Sequence, residues 1–534
     1  MRPEPSLSWP RILTWLCLFG ALWSLQQNAE LISSTREFAY TGEIRKVLRF
    51  ILSLLPLFAI PLALLKESLR KPLLWLTFGL GMAILVDTTF GGRDPDEGVH
   101  LHLSWMMAEG WVPYRDFFTV RNLLWHAMCI PLVVLMENSM EIIHIARTLM
   151  LFCSAAFLGI LVFVGRRCKS HFVAPMLALA VPFFPWGAVE FRADPPMTLC
   201  LIAALWALSR GYPGLAGILS GLGFLMLQKA AFHGIAMGAG ILLSGMGWRW
   251  VASYSLGAIS VSVLHMVWAL LLGIWTEYYN CTFVCSSAFA SYHQQTPFLE
   301  SMSLVVFGQE LQYYPLLCLL SLVGCILWWR SDDKFCRLLA VCLIVDMGFV
   351  FLGKIAFKNY LLFPVALMGL ACGRAFKEME DKEVGELESA IPTTCILILL
   401  GIGALRHSAV PPRSIEIAEA SEVIRLLPQN ETYYGDGLRA NLINPIFRTN
   451  ATYYPHDATR MVNWFSKSGS NVVTPNYTPG QNVVLAQKLP GAFSMGRKRA
   501  ESFLELVKKQ SGTQYKEVFQ DLYLREDLLE TLKN

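Results

Sequence analysis

The sequence predicts an all-α polytopic membrane protein carrying a small α/β region at its C-terminal end. Three observations lead there. Of the 534 residues, 54% are hydrophobic and 16% charged, against roughly 45–50% and 25% in a soluble protein. The apolar residues gather into runs rather than amphipathic stripes, and a helix needs about 20 of them to cross a bilayer. The runs recur as far as His407 and then give way to mixed polar sequence.

Length and hydropathy mark about thirteen spans, near 12–25, 47–65, 73–90, 147–165, 172–189, 195–208, 214–227, 232–246, 251–274, 315–329, 336–353, 360–373 and 391–405. No small-residue cleavage site follows the first, so it reads as a retained helix rather than a signal peptide. The apolar stretch 123–136 is short and interrupted by Pro131, and is expected to lie in the interface. The chain thus divides into a membrane domain, 1–407, with a large loop at 91–146, and a polar region, 408–534. Pro411 and Pro412 open the latter, which alternates helical stretches (415–427, 499–509) with strand-like runs (482–486, 517–524). Most cysteines sit inside apolar runs as small hydrophobes. Cys281 and Cys285, in a polar loop, read as two unpaired thiols, with a disulfide as the alternative.

Short cytoplasmic loops are rich in Lys and Arg. Lys66, Arg70 and Lys71, then Arg166, Arg167 and Lys169, then Arg210, Arg249, the Arg330/Lys334/Arg337 group and Arg374/Lys377 all fall on one side if the N-terminus is cytoplasmic. The loop 91–146, the segment 190–194, the loop 275–314, the segment holding Lys354, Lys358 and Tyr360, and everything after His407 are then external. The expected setting is a bacterial inner (plasma) membrane, with the C-terminal region outside the cytoplasm. A net charge of +4 is too small to suggest a nucleic-acid partner.

The chemistry concentrates between Gly91 and His126. Asp94, Asp96 and Glu97 cluster past the end of a span, where carboxylates are costly to desolvate and suggest a site. Gly110, Pro113, Tyr114, Arg115 and Asp116 follow, and Arg121 after them. Glu190, Arg192 and Asp194 form a second acid–base group at the same face, and Lys229 and Lys358 add basic positions from other helices. A solvated loop explains any one of these, but less well their convergence on one face. His100 and His102 form an H-x-H that reads as interfacial histidines, with a divalent metal as the alternative. Trp105, Trp111 and Trp125 read as interface anchors.

The ordered set resembles the GT-C superfamily of membrane glycosyltransferases, whose members include protein O-mannosyltransferases and the transferases that move aminoarabinose onto lipid A. An acidic motif after the first core helix is matched by Asp96-Glu97, a G-x-x-P-Y-x-D segment by Gly110–Asp116, an Arg opening the next helix by Arg147, and an R-x-D by Arg192-Ala193-Asp194. The resemblance covers about 73–229. It departs from the family in having two spans before the core helix, and Arg121-Asn122-Leu123-Leu124 where a proline pair is common.

The resemblance implies transfer of a sugar from a polyprenyl-phosphate donor to a hydroxyl of a lipid, glycan or protein acceptor, at the external face and without a cofactor. Asp96 is then the candidate general base, with Glu97 or Asp194 orienting acceptor or sugar. Arg192, Lys229 and Lys358, with Arg121 a weaker candidate, would stabilise the leaving lipid phosphate. Tyr114, Arg115, Asp116 and Tyr360 complete the candidate binding set. A transporter or flippase for a lipid-linked or anionic solute is the alternative; it predicts repeats and helices broken at mid-membrane. A scaffold presenting the C-terminal region is the third reading.

Overall fold

The computed structural model describes residues 67–89, 95–136 apart from 116 and 118, 142–170, 174–285 apart from 180 and 182, 315–352, 361–380 and 393–402, with short pieces of 54–63 and 433–531. Helices dominate. In chain order they are α1 (Glu67–Thr89), α2 (Pro95–Ala108), α3 (Leu124–Met128), α4 (Ile130–Leu135), α5 (Ile142–Arg167), α6 (Ala174–Leu179), α7 (Phe183–Val189), α8 (Asp194–Ser209), α9 (Pro213–Met226), α10 (Ala230–Leu243), α11 (Trp248–Leu271), α12 (Trp275–Tyr279), α13 (Pro315–Trp329), α14 (Lys334–Leu352) and α15 (Leu362–Glu380). Another apolar helix, α16, covers Thr393–Ile402. The expected span at 12–25, and most of that at 47–65, lie outside the described residues.

Stretches of α1, α5 and α11 have the length and hydropathy to cross a bilayer, and α8, α9, α10, α13 and α16 are shorter apolar helices. Leu256, Leu264 and Leu271 of α11 are 69%, 70% and 83% exposed. A row of leucines facing outward along a 24-residue helix suits lipid and not water.

Small residues set how close the helices come. A Cβ added at Gly217 of α9 would stand 1.9 Å from the Tyr254 carbonyl oxygen of α11, and one at Gly257 would stand 2.3 Å from that of Gly214. Gly324 of α13 meets the Ala371 carbonyl of α15 in the same way, at 1.8 Å. These are backbone-to-backbone contacts that a larger residue cannot enter, the usual device for joining helices where lipid removes the hydrophobic driving force.

Contacts sort the helix ends into two faces. On one, Arg147 at the start of α5 reaches the Thr89 carbonyl at the end of α1, and Lys229, between α9 and α10, meets Asp194 at the start of α8. On the other, Arg167 at the end of α5 pairs with Asp333 before α14, and the Trp328 indole at the end of α13 donates to the Cys168 carbonyl at 3.3 Å. The helices therefore alternate in direction, as the loop charges imply.

Two local expectations change, at 172–189 and at 517–524. The span at 172–189 is two short helices, α6 and α7; the sequence has Pro182 between them, which lacks the N–H a continuous helix needs. The stretch 123–136 is also two pieces, of five and six residues, too short to cross and in keeping with an interfacial position. The run 517–524 is not one strand but parts of two, β3 (Tyr515–Phe519) and β4 (Leu522–Arg525). With β1 (Tyr433–Asp436) and β2 (Ala492–Met495) they form a sheet of order β1-β2-β4-β3, in which β1 and β2 are parallel and the other pairs antiparallel. A short helix, α17 (Glu526–Thr531), follows β4. The expected strand at 482–486 and helix at 415–427 lie outside the described residues.

Candidate active site

The site is built at the ends of α2, α5 and α8. Pro95 opens α2, a position where its missing N–H costs nothing. Glu97 follows in the first turn and is fully buried. Arg147 of α5 grips it with both arms, Nε to Oε1 at 2.7 Å and Nη2 to Oε2 at 2.6 Å. The Phe191 backbone N–H also donates to Oε1, at 2.9 Å. Both carboxylate oxygens are thus engaged, and one residue ties α2, α5 and the segment before α8 together. A forked Arg–carboxylate pair of this kind is the strongest form of ion pair.

Three residues beyond Phe191 lies Asp194, the acid in the first turn of α8, where two prolines follow it and the helix dipole favours negative charge. Lys229 Nζ bonds one of its oxygens, and Arg192 Nε bonds the other at 3.2 Å. Side-chain exposures are 2% for Asp194, 7% for Lys229 and 16% for Arg192, so Arg192 is the member a ligand reaches. Burial pushes the Lys229 ammonium below its ordinary pKa, while the Asp194 carboxylate opposes that shift.

Facing these groups is the loop 110–123. Gly110 (φ 84°) and Tyr114 (φ 67°) turn the chain through the left-handed region. The Tyr114 phenol donates to the Arg121 carbonyl at 2.8 Å; burial holds that phenol's pKa well above the ordinary tyrosine value, so it remains a donor. Gln228 donates to the Val120 carbonyl at 2.6 Å and accepts from the Asn122 N–H at 3.3 Å. Asn122 donates to the Phe224 carbonyl at 2.6 Å, and the Tyr278 hydroxyl donates to Asn122 Oδ1 at 3.3 Å.

Behind Arg121 and Arg192 lies a pair of stacked imidazoles. His100 Nδ1 and His126 Nε2 are 2.7 Å apart, with the rings 7° from parallel. Burial, and then the charge of Arg121, lower both pKa values, that of His126 to about 3. Two neutral rings can share one N–H···N bond, and the remaining nitrogens, His100 Nε2 and His126 Nδ1, are buried with no partner among the described residues.

Of the residues the sequence singled out, Glu97, Asp194, Arg192, Lys229, Tyr114 and Arg121 come together at this face. Arg115 is exposed on the same loop. Asp96 lies in the first turn of α2, but its side chain, like Asp94, Asp116, Lys354, Lys358 and Tyr360, is outside the described residues, as is that of Cys285. The H-x-H does not form a ligand pair, because residues two apart on a helix point about 200° apart: His100 stacks on His126 and His102 on Trp105. Among the described residues no group of three or more His, Cys, Asp or Glu side chains is placed to hold a metal. Sequence reasoning missed His126, Asn122 and Gln228. It also missed His233 of α10, whose Nδ1 meets Asp346 of α14 inside the helical core. The available signal was a charge inside an apolar run, at Asp346 as at Arg147.

The chain matches no protein-family profile and no curated protein. It does match solved structures. One is the crystal structure of ArnT from Cupriavidus metallidurans bound to undecaprenyl phosphate, with a TM-score of 0.58 over 84% of this chain and 97% of that one. The chain has the ArnT fold. The apo structure of the same protein gives a TM-score of 0.58 over 85% of this chain and 98% of that one. Identity is 13% in both comparisons, so what is shared is the architecture. Among the described residues, three helices long and apolar enough to cross a bilayer agree with the polytopic helical arrangement the sequence predicts.

Proposed function

We propose that the chain is a glycosyltransferase that moves a sugar from a polyprenyl phosphate to an acceptor hydroxyl at the membrane face bearing Glu97 and Asp194. The observation that carries this reading is the Asp194–Arg192–Lys229 cluster, a partly open acid–base group at the ends of apolar helices. Its setting supports it: ArnT, of the same fold, is bound to undecaprenyl phosphate in its crystal structure. A lipid-linked donor needs a site that is polar at one end and reaches hydrocarbon at the other, and helix ends at a bilayer face provide both.

In the proposed reaction the acceptor oxygen attacks the anomeric carbon, the bond from that carbon to the phosphate oxygen breaks, and the lipid phosphate leaves with the electron pair. Arg192, backed by Lys229 and joined by Arg121 and Lys358, balances the charge gathering on the phosphate. Asp96, in the first turn of α2, takes the acceptor proton. Asp194 holds Arg192 and Lys229 in position, Tyr114 fixes the loop through the Arg121 carbonyl, and Arg115, Asp116 and Tyr360 border the donor. Glu97 positions α2 through Arg147. The polar region 408–534 is proposed as a separate external domain.

The transporter reading would draw on the break between α6 and α7, but the sequence between the two helices, Ala180-Val181-Pro182, carries no polar side chain to offer a solute. The deciding experiment uses the purified full chain with undecaprenyl phosphate as binding probe and polyprenyl-phosphate sugars as donors. Asp96→Asn should retain undecaprenyl phosphate binding and lose turnover by about 10²–10⁴-fold, while Asp94→Asn loses much less. Equal losses at both positions would remove Asp96 from the role of base. Movement of a lipid-linked sugar across vesicles without any transfer would replace the enzyme by the transporter.

A further inference from the structure

The far end of the helices holds a concavity lined by basic residues. A cavity of about 540 Å³ is lined by Phe163, Arg166 and Arg167 of α5 and by Trp206, Ser209 and Arg210 at the end of α8. The same two helices begin in the candidate active site, at Arg147 and Asp194. Arg147 and Arg166 both lie on α5, so about 28 Å of helix axis separates them. That is close to the ~30 Å hydrocarbon thickness of a bilayer. The cavity therefore opens at the membrane face opposite the site.

Its three arginines are not equivalent. Arg167 is neutralised by Asp333, whose carboxylate also accepts from the Phe335 N–H at 2.9 Å and is fixed by it. Arg166 and Arg210 are exposed and have no acidic partner among the described residues. Arg166 instead lies over the Phe163 ring, 5.8 Å from its centroid. Phe163 and Trp206 are themselves 58% and 37% exposed. Two guanidinium groups from different helices, without an acidic partner among the described residues, together with a hollow walled by exposed aromatic rings, describe a receptor for an anion carried on a hydrocarbon chain. The bland account is that these arginines only set orientation by the positive-inside rule. That account requires charge on this face. It does not require a hollow with aromatic walls, and Arg249, on the same face, is not among the residues that line this one.

We propose that this cavity binds the phosphate headgroup of an anionic phospholipid in the leaflet opposite the active site. Basic pockets between membrane helices take phosphate headgroups in this way, and Arg matches phosphate oxygens with its planar fork of donors.

The test is native mass spectrometry of the full chain in detergent, titrated with phosphatidylglycerol or phosphatidylcholine. The wild-type chain should hold phosphatidylglycerol and not phosphatidylcholine. Arg166→Gln/Arg210→Gln should weaken phosphatidylglycerol binding roughly 30-fold, with an unchanged melting temperature. Arg249→Gln should leave binding as it is. An equal loss in Arg249→Gln would reduce the effect to general surface charge and overturn the site. Equal retention of phosphatidylcholine would overturn the anion assignment. Competition by inorganic phosphate as strong as that by phosphatidylglycerol would assign the cavity to a soluble phosphate and overturn the lipid. Were the double variant to melt early, the single variants, read against Arg249→Gln, would carry the same comparison.

Discussion

Glu97–Arg147 and Asp194–Arg192–Lys229 are neighbouring acid–base clusters built on opposite plans. In the first, acid and base are 0% and 1% exposed and every carboxylate oxygen is bound within the protein. In the second, one acid is shared by two bases, one of which, Arg192, reaches outward. The difference teaches how to separate holding from binding where charges crowd together. A closed, forked pair has nothing left to offer a ligand and acts by fixing three chain segments. A cluster whose Arg192 side chain is 16% exposed is reachable from outside, as the closed pair is not.

The sharpest way to break this comparison is Arg147→Ala. It leaves Glu97 buried beside an empty space, and losing one partner of a buried pair costs about 3–5 kcal/mol. The protein should melt far below wild type in detergent and lose yield. Glu97→Leu/Arg147→Met should recover most of that stability, because an apolar pair of similar volume avoids the desolvation cost. A wild-type melting temperature in Arg147→Ala would mean that the pair holds nothing.

Arg192→Ala addresses the open cluster. A hydrogen bond to a charged group contributes about 1.5–3 kcal/mol, so the KM for a polyprenyl-phosphate donor should rise about 10–100-fold. The melting temperature should stay near wild type, since Lys229 still neutralises Asp194. Early melting with an unchanged KM would move Arg192 into the same class as Arg147.

The smallest effect concerns pH. His126 binds its proton near the model-compound value of 6.5 when unfolded but only near about 3 when folded, and His100 shifts the same way. Between those limits the unfolded chain holds more protons, so stability is complete above 6.5 and falls as the pH drops toward 3. The slope is at most about 1.4 kcal/mol per pH unit for each histidine. Thermal melts between pH 7 and pH 5 should show this slope, and His126→Phe should flatten it. An identical slope in both proteins would place the acid sensitivity elsewhere.

Much of the membrane architecture was legible because a bilayer enforces it: unbroken apolar runs and one-sided basic loops follow from the cost of burying charge in hydrocarbon. The gathering of Glu97, Asp194, Arg192 and Lys229 at one face followed from topology alone. Their partners did not. Glu97 is joined to a residue 50 positions away, and His100 to one 26 away; tertiary packing chooses such partners, and no periodicity encodes them. The break between α6 and α7 went unread because hydropathy continues through it, although Pro182 marked the place. His233 and Asp346 sit in apolar runs whose mean hydropathy hides a single polar position.

Tyr114 has one further consequence. A non-glycine residue held at φ 67° is in a sparsely populated conformation, which costs of order 1–3 kcal/mol and persists only where its surroundings over-determine it. Here the phenol is tied to the Arg121 carbonyl and the ring is set edge-on against Tyr278, 5.2 Å between centroids. The backbone at Tyr114 and Arg121 is therefore held from within the protein before anything arrives. An incoming molecule meets a finished mould instead of having to cast one, so little ordering entropy is charged to the encounter. For the proposed transferase, selectivity beside Arg121 then comes from fit, and a molecule of the wrong outline is refused rather than accommodated.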